Sequence, residues 1–156
     1  MSRNEQMQRL FRQYEQEHGR MAATTREACV WAVQEGLLEL PKIDPYDRLA
    51  DDMARALREE YAVDRDGRRY RVNHAFRANR SGVQLTMWAR LGESAPEYVH
   101  RALIQRREQI VGDCFQLKVD VDVFNNIYKD REPLQLVLDF TDDVAEREFW
   151  AKDNVA

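Results

Sequence analysis

The residues in this chain best suited to chemistry are arginines. Arg65, Arg68, Arg69, Arg71, Arg77, Arg80 and Arg90 fall within 26 residues and meet a single acid there, Asp66. A guanidinium is a planar fork of N–H donors that keeps its charge at any physiological pH, and it matches the geometry of paired phosphate oxygens. Alternate residues of a strand share a face, so Arg69 and Arg71 are expected to point the same way, with Arg68 at the turn. Such a row can hold a sugar–phosphate backbone without reading bases. A plainer explanation competes with it: an exposed sheet face needs charge to stay solvated, or pairs with acids elsewhere in the chain.

Other reactive side chains do not assemble into a site. Cys29 and Cys114 are far apart, have apolar neighbours and form no C-x-x-C spacing, so two buried free thiols are expected. His18, His74 and His100 lack ligand spacing. Asp139, Asp142 and Asp143 sit where a helix start would favour acids through its macrodipole. Asp120 and Asp122 cannot both face one point on a helix, and Ser81 and Ser94 occupy turn and cap contexts. No glycine-rich phosphate loop, G-x-S-x-G or H-E-x-x-H occurs. No catalytic residue, metal or cofactor is expected.

The net charge of −4 hides a pattern. Residues 1–64 carry 9 basic and 13 acidic side chains, residues 65–112 carry 10 and 4, and residues 113–156 carry 5 and 11. A basic middle therefore lies between acidic flanks, which bears on partners rather than on fold. At 156 residues and 44% hydrophobic content, the chain supports one core with room for an appended element. No window approaches the ~18 apolar residues of a membrane span, and no apolar stretch follows Met1–Gln6. A soluble, cytoplasmic protein is the expectation.

Several elements must position the arginines. Ser2 with Glu5, Thr24 with Glu27, and Ser94 with Glu97 have capping-box spacing, and Asp44–Pro45 offers an acidic cap before a proline at the first helical position. Met7, Leu10, Phe11 and Tyr14 give a helix over 3–18 that Gly19 can end. A second helix, 25–35, is expected to bury Ala28, Trp31 and Ala32, with Gly36 as its stop and a short extended segment, 37–40, before Pro41. A third, 45–60, places Leu49, Ala50, Met53 and Leu57 on one face. The period then changes from 3.6 to 2. Asp66–Gly67 marks a hairpin, and Asn79–Gly82 a second turn between alternating segments 69–76 and 83–91, together an antiparallel meander with one face on the helices. A fourth helix runs from Ser94 to about Tyr128. Residues 117–123 also alternate as a strand would, but no turn residue separates them from the helix, so helix is expected. A polar loop at 129–133, a strand or extended tail at 134–140 and a last helix from Thr141 to Trp150 complete the chain.

The helices followed by Val63-Asp64-Arg65-Asp66-Gly67-Arg68-Arg69-Tyr70-Arg71-Val72 resemble the end of a winged helix-turn-helix domain, whose wing is an arginine-rich hairpin. The likeness covers about residues 24–91. It implies a winged-helix-like part in which the helix before the hairpin reads DNA. Here that helix departs from the pattern: residues 44–60 carry six acids against Arg48, Arg55 and Arg58, ill suited to a phosphate-lined groove, and Asp51–Arg55 and Arg55–Glu59 have the spacing of internal ion pairs.

The expected architecture is α+β and mostly helical: a winged-helix-like helical part with a small meander over 1–92, then a long helix and an acidic segment over 93–156 on the same core. The expected function is that of a small bacterial-type nucleic-acid-associated or regulatory protein touching phosphates through Arg65, Arg68, Arg69, Arg71, Arg77 and Arg80. The alternative is a protein-interaction or assembly module whose arginines meet an acidic partner. A helix over 95–128 is about 50 Å long at ~1.5 Å per residue, whereas a compact domain of this size has a radius of gyration near ~15 Å. A homodimer built through that helix is expected, the alternative being that residues 129–150 fold back and cover it within one chain through Leu134, Leu136, Leu138 and Phe149.

Overall fold

The computed structural model describes residues 1–19 and 23–153. Its elements run α1 (Arg3–His18), α2 (Thr25–Gln34), α3 (Pro45–Glu59), β1 (Tyr61–Val63), β2 (Arg69–Arg71), β3 (Asn73–Arg80), β4 (Val83–Arg90), α4 (Pro96–Ile127) and α5 (Thr141–Asp153). The fold is α+β with two small antiparallel hairpins and a long helix. Two compact units, Met1–Arg48 and Leu49–Ala156, divide it inside α3. No described helix is long and apolar enough to cross a membrane.

In the first unit both capping boxes form. Glu5 N–H donates to Ser2 Oγ at 3.2 Å while Ser2 N–H donates to Glu5 at 2.6 Å, and Thr24 and Glu27 exchange the equivalent pair at 3.2 and 3.0 Å. These bonds satisfy amide groups that a helix start leaves unpaired. They also hold the Glu5 and Glu27 carboxyls below the ordinary glutamate range, through the backbone of Ser2 and the hydroxyl of Thr24 respectively. Leu10, Trp31 and Ala32 form the core, with Tyr14 and Leu38 packed against it. Residues 37–38 bend instead of extending: the N–H groups of Leu37 and Leu38 both donate to Ala32 O, at 2.8 and 3.1 Å, closing the end of α2. Cys29 is a free thiol but exposed, because positions 28, 31 and 32 occupy the buried face and 29 is turned about 100° from 28.

In the second unit, β1 pairs with β2 and β3 with β4. Gly67, at φ +77°, closes the first connection. Ser81 and Gly82, at φ +52° and +79°, form the two-residue tip of the second, whose strand twist requires positive φ at both positions. The expected single meander is corrected to two hairpins that change hands at Val72. This buried residue donates its N–H to Glu60 O at 3.2 Å and accepts from Leu91 N–H at 2.9 Å, ending one ladder and opening the next. Beside it, buried Asn73 donates to Leu57 O at 3.2 Å and to Glu60 at 2.6 Å, and Arg90 reaches the other Glu60 oxygen at 3.3 Å. The Leu57 carbonyl in the last turn of α3, and Glu60 just after it, are thus tied to the root of β3. The apolar stripe of α3 gains less: Leu57 is half-buried, but Leu49 and Met53 are exposed.

Phe76, Ala89, Val99 and Ala102 form the second core, with Ala78 and Met87 partly buried on it. Gln105 locks α4 to the hairpin by accepting from Arg77 N–H at 2.7 Å and donating to Arg77 O at 3.1 Å. The third expected capping box does not form. Ala95 is the cap, and Ser94 Oγ accepts from Arg90 N–H at 2.8 Å, drawn to the strand end behind it. Residues 117–123 are helical, and Gln116–Asp120 and Lys118–Asp122 bond across one turn at 2.9 and 2.6 Å, pairings that a strand would not allow. Cys114 is half-buried and free. Residues 133–140 form no strand. Asn125 grips Leu134 through both its N–H and its C=O at 2.9 Å, turning the chain back along α4, and Asp139 accepts from Thr141 N–H at 3.1 Å at the start of α5.

Candidate nucleic-acid interface

The first hairpin sets opposite fates for neighbouring arginines. Asp64 Oδ1 accepts from the N–H groups of Asp66 and Arg68 at 2.9 and 2.8 Å, organising the turn. Its other oxygen takes Arg68 Nε at 2.7 Å, and Asp66 adds a second carboxylate at 3.2 Å. The Arg68 N–H and guanidinium hold the Asp64 carboxyl below its ordinary value, so the pair stays charged. Arg68 is exposed yet neutralised within its own turn. Arg90, from the same run, is likewise held by Glu60 at 3.3 Å and Glu93 at 3.2 Å.

Arg69 and Arg71 are placed differently. The register sets Arg71 opposite Tyr61 and Arg69 opposite Val63, so both share the Tyr61 face. The Arg69 guanidinium lies 3.8 Å from the centre of the Tyr61 ring and that of Arg71 lies 5.9 Å from it. Stacking on the ring's negative face orients a guanidinium and leaves its N–H edge available. Neither residue, nor exposed Arg65 in the turn, has an acidic partner among the described residues.

The second hairpin carries the remaining two. Arg77 pairs with Thr86 on the face opposite buried Phe76, and Arg80 ends β3 at the tip on the Phe76 side. Both are exposed. Sequence reasoning missed two further cations that meet aromatic rings: Arg58 lies 5.3 Å from the Trp88 ring centre, and Arg101 5.7 Å from that of Phe76. Within α3, Arg55 bonds to Asp52 at 3.6 Å, in place of the expected partners Asp51 and Glu59. Charge density along the chain marks the hairpins but not these residues, whose rings lie on other elements.

No family model, curated protein or solved structure matches the chain.

Proposed function

We propose that this is a nucleic-acid-associated protein that contacts phosphates through the β1–β2 hairpin. The observation that carries the reading is the Tyr61 face, where Arg69 and Arg71 are held in place and left without acidic partners while Arg68 and Arg90 are neutralised internally. Side chains ordered in advance lose less freedom when they take a phosphate. The acidic α3 makes a groove-reading helix unfavourable, so the contact would be wing-like, to backbone rather than to base edges. Retention on generic duplex DNA across a salt series tests this. Arg69→Ala with Arg71→Ala should reduce the slope of log affinity against log salt by about 2, near one unit per lost phosphate contact, with the melting temperature unchanged. Retention and slope equal to the parent protein's would remove the proposal.

The same reading includes a homodimer through α4. Beyond Gln105 this helix is apolar on several sides, with Ile110, Val111, Phe115, Leu117, Val123 and Ile127 exposed and only Val121 buried. Apolar side chains exposed on several sides of a helix call for cover, and a twofold partner is its commonest source. The N-terminal half of α4 carries Arg101, Arg106 and Arg107 against Glu97 and Glu108, and the C-terminal half Asp113, Asp120 and Asp122 against Lys118, so antiparallel pairing of two copies sets a net basic half against a net acidic one. Light scattering at micromolar concentration should give twice the 18.5 kDa chain mass. A mass of one chain that holds on concentrating rejects the dimer.

A further inference from the structure

We propose that the groove between the distal half of the β3–β4 hairpin and the first turns of α4 receives one unstacked nucleotide of a single strand, its base on Tyr98 and its phosphate between Arg80 and Arg101. This deepens the reading above and rests on it, by naming the form of nucleic acid preferred. The cavity measures about 390 Å³ and is lined by Phe76, Arg80, Leu85, Met87, Tyr98 and Arg101 among others. That volume lies within the range of small-ligand sites, about 300–1,000 Å³.

Its chemistry is a flat apolar wall beside two cations. The rings of Phe76 and Tyr98 are nearly parallel, 14° apart with centres at 5.5 Å. Phe76 is buried, whereas Tyr98 is 53% exposed, so the stack presents an aromatic surface to solvent and can be extended by another ring. Aromatic platforms of this kind hold bases with little regard to sequence. The Arg101 guanidinium sits 5.7 Å from the Phe76 ring centre, and Arg80 stands at the end of β3. Neither forms an ion pair among the described residues; Glu97, one turn before Arg101, makes none with it. A planar group joined to an anion is the ligand that uses both features.

The groove is also preformed. The two bonds from Gln105 to the Arg77 backbone fix the hairpin against α4, and the Ser81–Gly82 tip holds Arg80 opposite Val83. A duplex keeps its bases stacked on one another and cannot offer a face to Tyr98, whereas a single strand can.

The test compares fluorescein-labelled oligo-dT with a duplex of equal length at low salt, by anisotropy on the full chain. The parent protein should bind oligo-dT about tenfold more tightly than duplex. Tyr98→Ala should remove that preference and leave duplex binding intact, since one base–aromatic stack accounts for a factor of this order. Tyr98→Phe should keep it, and Arg69→Ala with Arg71→Ala should weaken both ligands. If Tyr98→Ala does not fold by circular dichroism, Arg80→Ala with Arg101→Ala, both exposed, carries the same comparison. Equal affinity for the two ligands, or an oligo-dT affinity unmoved by these groove variants, overturns the groove and leaves the hairpin reading standing. Absence of binding to either ligand by the parent protein overturns both.

Discussion

Phe76→Ala is expected to destabilise the unit Leu49–Ala156 by about 3–5 kcal/mol, the usual range for truncating a buried phenylalanine. Phe76 is the largest side chain of a core otherwise made from Ala89, Val99 and Ala102. Those small neighbours cannot move in to close the cavity, because Ala89 is fixed in a paired strand opposite His74 and Ala102 lies on α4, which Gln105 anchors to Arg77. The change also removes the ring under Arg101 and beside Tyr98. Against a whole-domain stability of typically 5–15 kcal/mol, a loss of this size is severe. Urea unfolding followed by circular dichroism measures it, and Phe76→Leu, which leaves a smaller hole, should lose less. A loss below ~1 kcal/mol for the alanine variant would show that this cluster does not hold the unit together.

Trp31→Ala should do comparable damage in Met1–Arg48, again about 3–5 kcal/mol. The core there is Leu10, Trp31 and Ala32, and the indole also meets Tyr14 edge-on at 5.7 Å and His18 at 6.0 Å. Without it, α1 and α2 depend on their caps. A cap contributes on the order of 1 kcal/mol, and isolated helices of 16 and 10 residues are marginal in water. Amide hydrogen exchange in α1 and α2 should rise toward that of unstructured peptide. Retained protection in both helices would mean that the pair is held by something other than this indole.

The two cores and the two hairpin turns differ in how far the sequence foretells them, and the reason is range. Ser2–Glu5, Thr24–Glu27 and Ser81–Gly82 act within three residues, so their chemistry is written locally. The Val72 handover depends on Glu60 and Leu91, and the α4 anchor joins residues 28 apart, so neither leaves a local trace. Ser94 shows the limit of a motif: its spacing to Glu97 suited a cap, but the N–H of Arg90 lay within reach of the same hydroxyl. The cysteines were expected inside because of their apolar neighbours, and helix phase decided otherwise for Cys29. In the basic region, the count of arginines marked the surface, while their availability turned on carboxylates. The Asp64–Arg68 pair was within local reach; Glu60, 30 residues before Arg90, was not.

The 3.2 Å bond between Glu60 O and Val72 N–H places the two roots of the first hairpin side by side. Everything from Tyr61 to Arg71 therefore leaves and rejoins the protein through a single doorway, as an attachment rather than a structural wall. Asn73 and Arg90 grip Glu60 from the protein side of that doorway, so its frame does not depend on what is mounted in it. The hairpin is in this sense interchangeable: length, charge and ring content can vary between Glu60 and Val72 while the scaffold that carries them keeps its shape.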